Sequence, residues 1–207
     1  MRSPWLVSSG IPTGIDRGAI IESRGAIAAG GPRRCELGTQ DNGMSAIASF
    51  YLVPDSRLPD VVAAAKPTSR RWLGPARDTF WEVLRGSCRE LERFTAGSGW
   101  VFNTLDLYLE NRYGFMYGQF GDGATGDVLS QARGSYWLAL PSAAASQLLG
   151  ALNQVDLSLS DLLAFITSEH GSEQAAEEAA AVQAAVTTFK GWLVQVPAGT
   201  TGLLSVG

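Results

Sequence analysis

The most recognisable chemical pattern in the sequence is a run of glycines, GDGATG, at residues 121 to 126. Its spacing matches G-x-G-x-x-G, in which backbone N–H groups at a helix N-terminus bind the pyrophosphate of a dinucleotide. Asp122 and Asp127 would bring negative charge to the place of the phosphate, and no acidic residue follows ~20 positions further on to hold a ribose. We therefore interpret residues 118 to 127 as a glycine-rich surface loop and predict no cofactor.

The same loop supplies the acidic residues of an alternative, catalytic interpretation. The chain has a single histidine, His170, and acyl transfer by a Ser-His-Asp set needs such a base. The alternative is a small hydrolase or transferase that uses His170 with Asp122 and Asp127. The competing interpretation places His170 at a helix end, where the helix dipole favours a cation. We assign no catalytic residue in the preferred interpretation, and no metal site, because two carboxylates without a third are too few.

A cluster of basic and aromatic residues, Arg70, Arg71 and Trp72, indicates protein binding, since Arg and Trp are enriched in interface hot spots. Seven basic residues stand against four acidic ones from Lys66 to Arg93, in a chain of net charge −4. A local positive patch would steer an acidic protein partner, whereas the acidic chain as a whole argues against nucleic acid. The competing interpretation pairs these arginines with the chain's own acids. We predict a non-catalytic, immunity- or adaptor-like domain.

The cysteine content and the hydropathy of the sequence indicate in which cellular compartment the protein is expected. Cys35 and Cys88 are too few for a disulfide scaffold or a cysteine-based metal site. The sequence has no apolar window that approaches the ~20 residues of a membrane span. These observations predict a soluble protein of a reducing compartment, the cytoplasm, without a membrane partner.

The elements that would position these residues alternate along the chain. Residues 98 to 113 carry apolar side chains at helical spacing and predict a buried central helix. Residues 77 to 94 are amphipathic, as one helix or two, and residues 172 to 194 predict the longest helix. Alternating β-branched and aromatic residues predict strands near 45 to 53, 135 to 140 and 202 to 206, with 115 to 120 as a further candidate. The expected fold is α+β, a small mixed sheet packed against about six helices.

The tryptophans that lie within these predicted elements are expected in the core. They are Trp81, Trp100, Trp137 and Trp192.

The first 43 residues differ from the rest, because glycines and prolines interrupt every periodic pattern there. We interpret residues 1 to 43 as a disordered leader or an overlong translation start whose true beginning is Met44. Residues 44 to 207 are then expected to form a single α+β domain.

Three features of residues 44 to 207 carry a resemblance to a known family. They are the opening strand MSAIASFYLVP, a mid-chain helix that contains FWEVLRG, and a long late helix that leads into a final strand. This layout resembles the YfbM-like family of uncharacterised bacterial proteins. The DTFW sequence at 78 to 81 lacks the Lys and the His of that family's usual Asp-Lys-x-Trp-His helix. The resemblance implies an α+β fold in a bacterial protein of unknown function, and it brings no functional residues with it.

Overall fold

The computed structural model describes residues 46 to 66 and 78 to 207. Four strands form its sheet: β1 (Ala48–Pro54), β2 (Arg89–Glu90), β3 (Tyr136–Pro141) and β4 (Thr200–Val206). Their order is β2-β1-β4-β3, and every neighbouring pair is antiparallel. The predicted α+β class is confirmed, with the sheet antiparallel throughout instead of mixed.

Helices fill the connections between the strands. The described part of the chain contains α1 (Leu58–Ala65), α2 (Phe80–Ser87), α3 (Val101–Tyr113), α4 (Gly123–Arg133), α5 (Ser142–Leu152), α6 (Leu159–His170) and α7 (Ala175–Leu193). The predicted central helix is α3, and it ends at Gly114, whose φ of 73° is the left-handed conformation that glycine adopts readily. The longest helix is α7, as the sequence predicts.

The strand predicted at residues 115 to 120 is wrong, because Tyr117–Phe120 form a 3₁₀ turn. The backbone N–H of Tyr117 donates to Asp106 Oδ1 at 2.7 Å, and its hydroxyl donates to the Phe102 carbonyl at 3.0 Å. These bonds to α3 turn the chain inward, so it cannot continue as an extended strand.

The amphipathic stretch of residues 77 to 94 becomes one helix and a short strand within its described part. Helix α2 ends at Ser87, after the poor helix former Gly86. Cys88 therefore follows the helix as its C-terminal cap and is half-buried, instead of lying on a helical stripe. The chain then pairs with β1, and Leu91 N–H still donates to the Phe50 carbonyl beyond β2.

The sheet separates two apolar clusters, because side chains alternate between its faces. Phe50 and Leu204 lie on the first face, in the larger cluster with residues of α3, α5, α6 and α7. Tyr51 and Leu203 lie on the second face, in a smaller cluster with residues of α1, α2 and α4.

Candidate functional site

The glycine-rich stretch at residues 118 to 127 is not a loop for most of its length, because α4 begins within it at Gly123. Asp122 caps this helix: its side chain accepts a hydrogen bond from Thr125 N–H at 3.4 Å and from Thr125 Oγ1 at 2.7 Å. The carboxylate thus occupies the helix N-terminus that a phosphate would need.

The spacing of the glycines follows from close packing against β3. A Cβ on Gly121 would lie 2.8 Å from the Ala139 carbonyl oxygen, and one on Gly126 would lie 2.9 Å from the Trp137 carbonyl oxygen. Real Cβ atoms do not approach backbone oxygens so closely, so both positions exclude a side chain. Two of the three glycines of the pattern, Gly121 and Gly126, therefore allow the chain to pack against β3, whereas Gly123 lies in open space.

The residues of the alternative catalytic interpretation lie on different sides of the sheet. Asp122 and Asp127 belong to the start of α4, which packs on the second face. His170 ends α6, which packs on the first face, and its Nδ1 is 3.3 Å from Glu178 Oε1. The structure does not bring the three residues together.

The residues predicted to bind a partner, Arg70, Arg71 and Trp72, lie outside the described residues. The basic stretch to which they belong continues into the described part with Arg85 and Arg93. These two arginines line an open groove, and the site is built around them.

This groove lies on the second face of the sheet and has a volume of about 300 Å³. Its floor carries the hydroxyl groups of Ser49, Tyr51 and Ser205, and its walls include Trp81 and Arg85. The two serines are directly opposite each other on β1 and β4. We call this site, with Arg93 and Glu90 at its rim, the sheet groove.

Trp81 is the largest apolar side chain that lines the sheet groove, and 38% of its surface is exposed. Its ring packs edge-on against Phe80, with centroids 5.1 Å apart, and lies 6.3 Å from the ring of Trp137. The neighbouring rings hold one side of Trp81 in place while the other side remains accessible.

An ion pair supports this aromatic cluster from beneath. The Arg133 guanidinium lies 4.5 Å from the ring centroid of Phe80 and 5.7 Å from that of Trp81. Asp78 accepts two hydrogen bonds from it, at 2.8 and 3.2 Å. The hydrogen bonds from Arg133 are the main reason that the pKa of Asp78 is lowered. The bidentate geometry fixes the plane of the guanidinium and, through it, the rings.

The two cations of the sheet groove have different environments. Arg93 Nε donates to Glu90 Oε1 at 2.6 Å, and this hydrogen bond raises the pKa of Arg93. Arg85 is exposed and makes no ion pair with any residue that the structure describes. Its guanidinium can therefore meet an external anion without first breaking an internal pair.

The floor of the groove remains neutral. Burial raises the pKa of Tyr51, and the hydrogen bond with Ser49 opposes this effect only in part. A protonated phenol can donate a hydrogen bond to a ligand. The arrangement therefore presents hydroxyl donors beneath a guanidinium, which suits a carboxylate.

Two tryptophans depart from the sequence prediction. Trp137 and Trp192 are buried as expected, but Trp81 and Trp100 are 38% and 53% exposed. The signal for Trp81 was present in the sequence: the apolar stripe of α2 is formed by Phe80 and Leu84, and Trp81 lies beside that stripe. Helical spacing alone could have placed it at the surface.

The described residues contain no group of three or more His, Cys, Asp and Glu side chains that could hold a metal ion. None of their helices combines the length and the apolarity that crossing a membrane would require.

Comparison with known proteins gives one structural resemblance. No family model and no curated protein matches the sequence. The crystal structure of YfbM from Escherichia coli, a protein of unknown function, matches 78% of this chain and 99% of that chain, with 10% identity and a TM-score of 0.41. The resemblance to YfbM noted in the sequence is thus also found in the structure, as a weak one. It says nothing about a ligand or a reaction.

Proposed function

We propose that this protein is a non-catalytic protein-binding domain, and that the sheet groove holds an acidic segment of a partner protein. The observation that carries the proposal is the exposed ring of Trp81 beside the guanidinium of Arg85, which forms no ion pair within the described part of the chain. A tryptophan and an arginine at the centre of a contact are the residue types that dominate binding energy in protein interfaces.

The chemistry of the groove favours an acidic side chain over a neutral one. Arg85 offers a planar set of N–H donors that fits a carboxylate, and the hydroxyl of Tyr51 lies on the floor of the same groove. A basic side chain would meet Arg85 and Arg93 with only Glu90 to offset them. Like charges at such an interface are unfavourable, so the groove discriminates by charge.

The packing around Trp81 reduces the entropy that binding would otherwise cost. Phe80 and Arg133 hold the indole before any partner arrives. A side chain that is already ordered loses little rotamer freedom on association. The groove is therefore suited to a short anchor, one apolar residue against the indole with an acidic neighbour at Arg85.

The proposal keeps the immunity- or adaptor-like role predicted from the sequence, with its centre at Trp81 instead of Trp72. The compartment that we propose is the cytoplasm, because free Cys88 and only one further cysteine favour a reducing environment.

Selection of binding peptides from a random library on the full chain tests the proposal. We expect the selection to yield acidic peptides that carry Asp or Glu next to an apolar residue. Their affinity, measured by fluorescence anisotropy, should fall about 30-fold for Trp81→Ala, which corresponds to ~2 kcal/mol. Arg85→Glu should weaken binding more than a neutral substitution at this position, because it also reverses the charge. Binding to this variant should depend less on salt concentration.

Two matched variants control for lost aromatic surface and for changed net charge. Trp100→Ala removes an exposed tryptophan elsewhere, and Arg112→Glu makes the same charge reversal on α3. Both should bind the selected peptides as the parent protein does. Acidic peptides that bind Trp81→Ala unchanged, or a selection that yields no acidic peptides, would refute the proposal.

A further inference from the structure

A second surface lies on the other side of the molecule, between α7 and the chain segment that leads into α3. The Trp192 Nε1–H donates to the Glu92 carbonyl at 3.0 Å, and a Cβ on Gly97 would lie 3.0 Å from Ala181 Cβ. Residues 91 to 101 therefore run antiparallel beside α7. Two grooves, of about 500 and about 270 Å³, lie along this boundary and share Ala96 as a lining residue. We call the two grooves together the α7 track.

The track residues on α7 and at its two ends form two groups at helical spacing, from Gln174 to Ala181 and from Thr188 to Gln195. With a rise of ~1.5 Å per residue, the distance from Gln174 to Gln195 is ~30 Å along the helix axis. An extended peptide advances ~3.3 Å per residue, so the track has the length of about nine residues. A surface of this shape fits an extended segment better than a compact ligand.

The end of the track near the start of α7 is acidic and aromatic. Glu177 and Glu178 line the smaller groove together with Trp100, of which 53% is exposed. The lining of this groove, all of it within the described residues, includes no lysine or arginine. Carboxylates beside an indole ring form an environment that favours ammonium and guanidinium groups, through charge and through cation–π attraction.

The carboxylate of Glu178 is held in place before any ligand binds. Its Oε1 accepts a hydrogen bond from Thr104 Oγ1 at 2.7 Å and lies 3.3 Å from His170 Nδ1. Glu177, its neighbour, is exposed. A cation would therefore meet one carboxylate that is already hydrogen-bonded and one that is exposed to solvent.

The larger groove has a rigid apolar floor with polar walls. The Trp192 ring stacks on Phe50 and on Phe102, with centroid distances of 5.4 and 5.8 Å. Glu92 and Arg93 line this groove, and the Gln195 amide is already bonded to Arg89 and to the Gly191 carbonyl. The walls also carry the hydroxyl groups of Thr95 and Thr188. Such groups can form hydrogen bonds with the backbone of a passing chain without selecting its side chains.

We propose that the α7 track binds an extended, basic segment of a protein, with an arginine or lysine between Trp100 and Glu177. Three of the four charged residues that line the track are acidic, whereas two of the three that line the sheet groove are basic. The two surfaces lie on different faces of the sheet and meet at Arg93, which lines both. The protein would then hold an acidic segment on one side and a basic segment on the other. This surface does not depend on the proposed function, since it uses none of the residues that form the indole–guanidinium centre of the sheet groove.

A labelled decapeptide of alternating arginine and alanine is a direct probe, titrated against the full chain by fluorescence anisotropy. We expect binding that weakens with salt, at least tenfold weaker binding to Glu177→Lys and to Trp100→Ala, and unchanged binding to Trp81→Ala. Asp127→Lys is the matched control, because it makes the same charge reversal at an exposed residue on the other face.

The outcomes separate a specific track from a general effect of net charge. Equal weakening by Asp127→Lys and Glu177→Lys would overturn the proposal, as would full affinity of Trp100→Ala or no measurable binding of the arginine peptide. If Glu177→Lys does not fold, Glu177→Gln should still weaken binding several-fold. If the proposal for the α7 track is wrong, acidic peptides should still bind at Trp81. If the proposal for the sheet groove is wrong, the arginine peptide should still bind at Trp100.

Discussion

Asp106 is a partly buried carboxylate on α3, and its burial disfavours the charged form. Its Oδ1 accepts the backbone N–H of Tyr117 at 2.7 Å. Burial raises its pKa from 3.8 to about 6; the hydrogen bond from Tyr117 opposes this change, and the nearby Glu110 adds to it. The folded protein therefore holds the proton of Asp106 more tightly than the unfolded chain does.

The sign of the pH dependence follows from this difference. Between pH 3.8 and about 6 the unfolded chain binds fewer protons at this site than the folded protein. The free energy of unfolding consequently falls as pH rises through this range and stays lower above it. The full difference in pKa corresponds to ~3 kcal/mol. Because the carboxylate is partly exposed and screened by solvent, we expect a smaller effect of ~1 kcal/mol.

Asp106→Asn should remove this penalty. The amide oxygen can still accept the N–H of Tyr117, but the side chain no longer carries a charge. We expect the variant to be ~1 kcal/mol more stable than the parent protein at pH 8 and nearly equal to it at pH 4. Urea unfolding followed by tryptophan fluorescence across this pH range measures the difference. Asp127→Asn, at an exposed site, controls for the loss of one negative charge.

A gain that is the same at every pH would show that the charge of Asp106 is not the cause. A loss of stability at pH 8 would show that the charged acceptor for Tyr117 outweighs the cost of burial. Either result would refute the reasoning.

Three further predictions test the packing described above. Gly126→Ala should lower the free energy of unfolding by ~1–3 kcal/mol, because the new methyl group would meet the Trp137 carbonyl. Gly123→Ala, in open space, should change it by less than ~1 kcal/mol in urea titrations of both variants. Tyr117→Phe should lower it by ~1 kcal/mol, by removing the hydrogen bond from the hydroxyl to the Phe102 carbonyl. Cys88, whose pKa burial raises to about 11, should react slowly with iodoacetamide at pH 7 and faster as pH rises to 10.

The sequence predicts those elements of the fold whose pattern and burial agree. The spacing of Val101, Leu105 and Tyr108 predicts α3, and all three are buried in the larger cluster. Residues 115 to 120 show the limit of such reasoning, since their aromatic run is also compatible with a strand. Bonds from Tyr117 to two positions on α3 decide the conformation, and local periodicity carries no information about them.

The candidate site was only partly predictable, for a similar reason. The excess of arginine near α2 is visible in the sequence, and Arg85 and Arg93 do meet at the sheet groove. Helical spacing is sufficient to place Trp81 at the surface, but its position beside Ser49 and Ser205 depends on how α2 lies on the sheet, which follows from tertiary packing. The sequence predicts a surface loop at residues 118 to 127, whereas Gly121 and Gly126 pack against β3 and α4 begins at Gly123.

The two edges of the sheet explain why side chains, and not strand addition, would recognise a partner. At the β3 edge, the Ser130 hydroxyl accepts a hydrogen bond from the N–H of Trp137 and donates one to its carbonyl. The N–H of Asp122 donates to the Ala139 carbonyl. At the other edge, β2 has only two residues, both charged. Short, charged or covered edges resist pairing with another chain. Binding by added strands is therefore disfavoured at both edges. A partner would instead be recognised by the side chains that line the grooves beside β2.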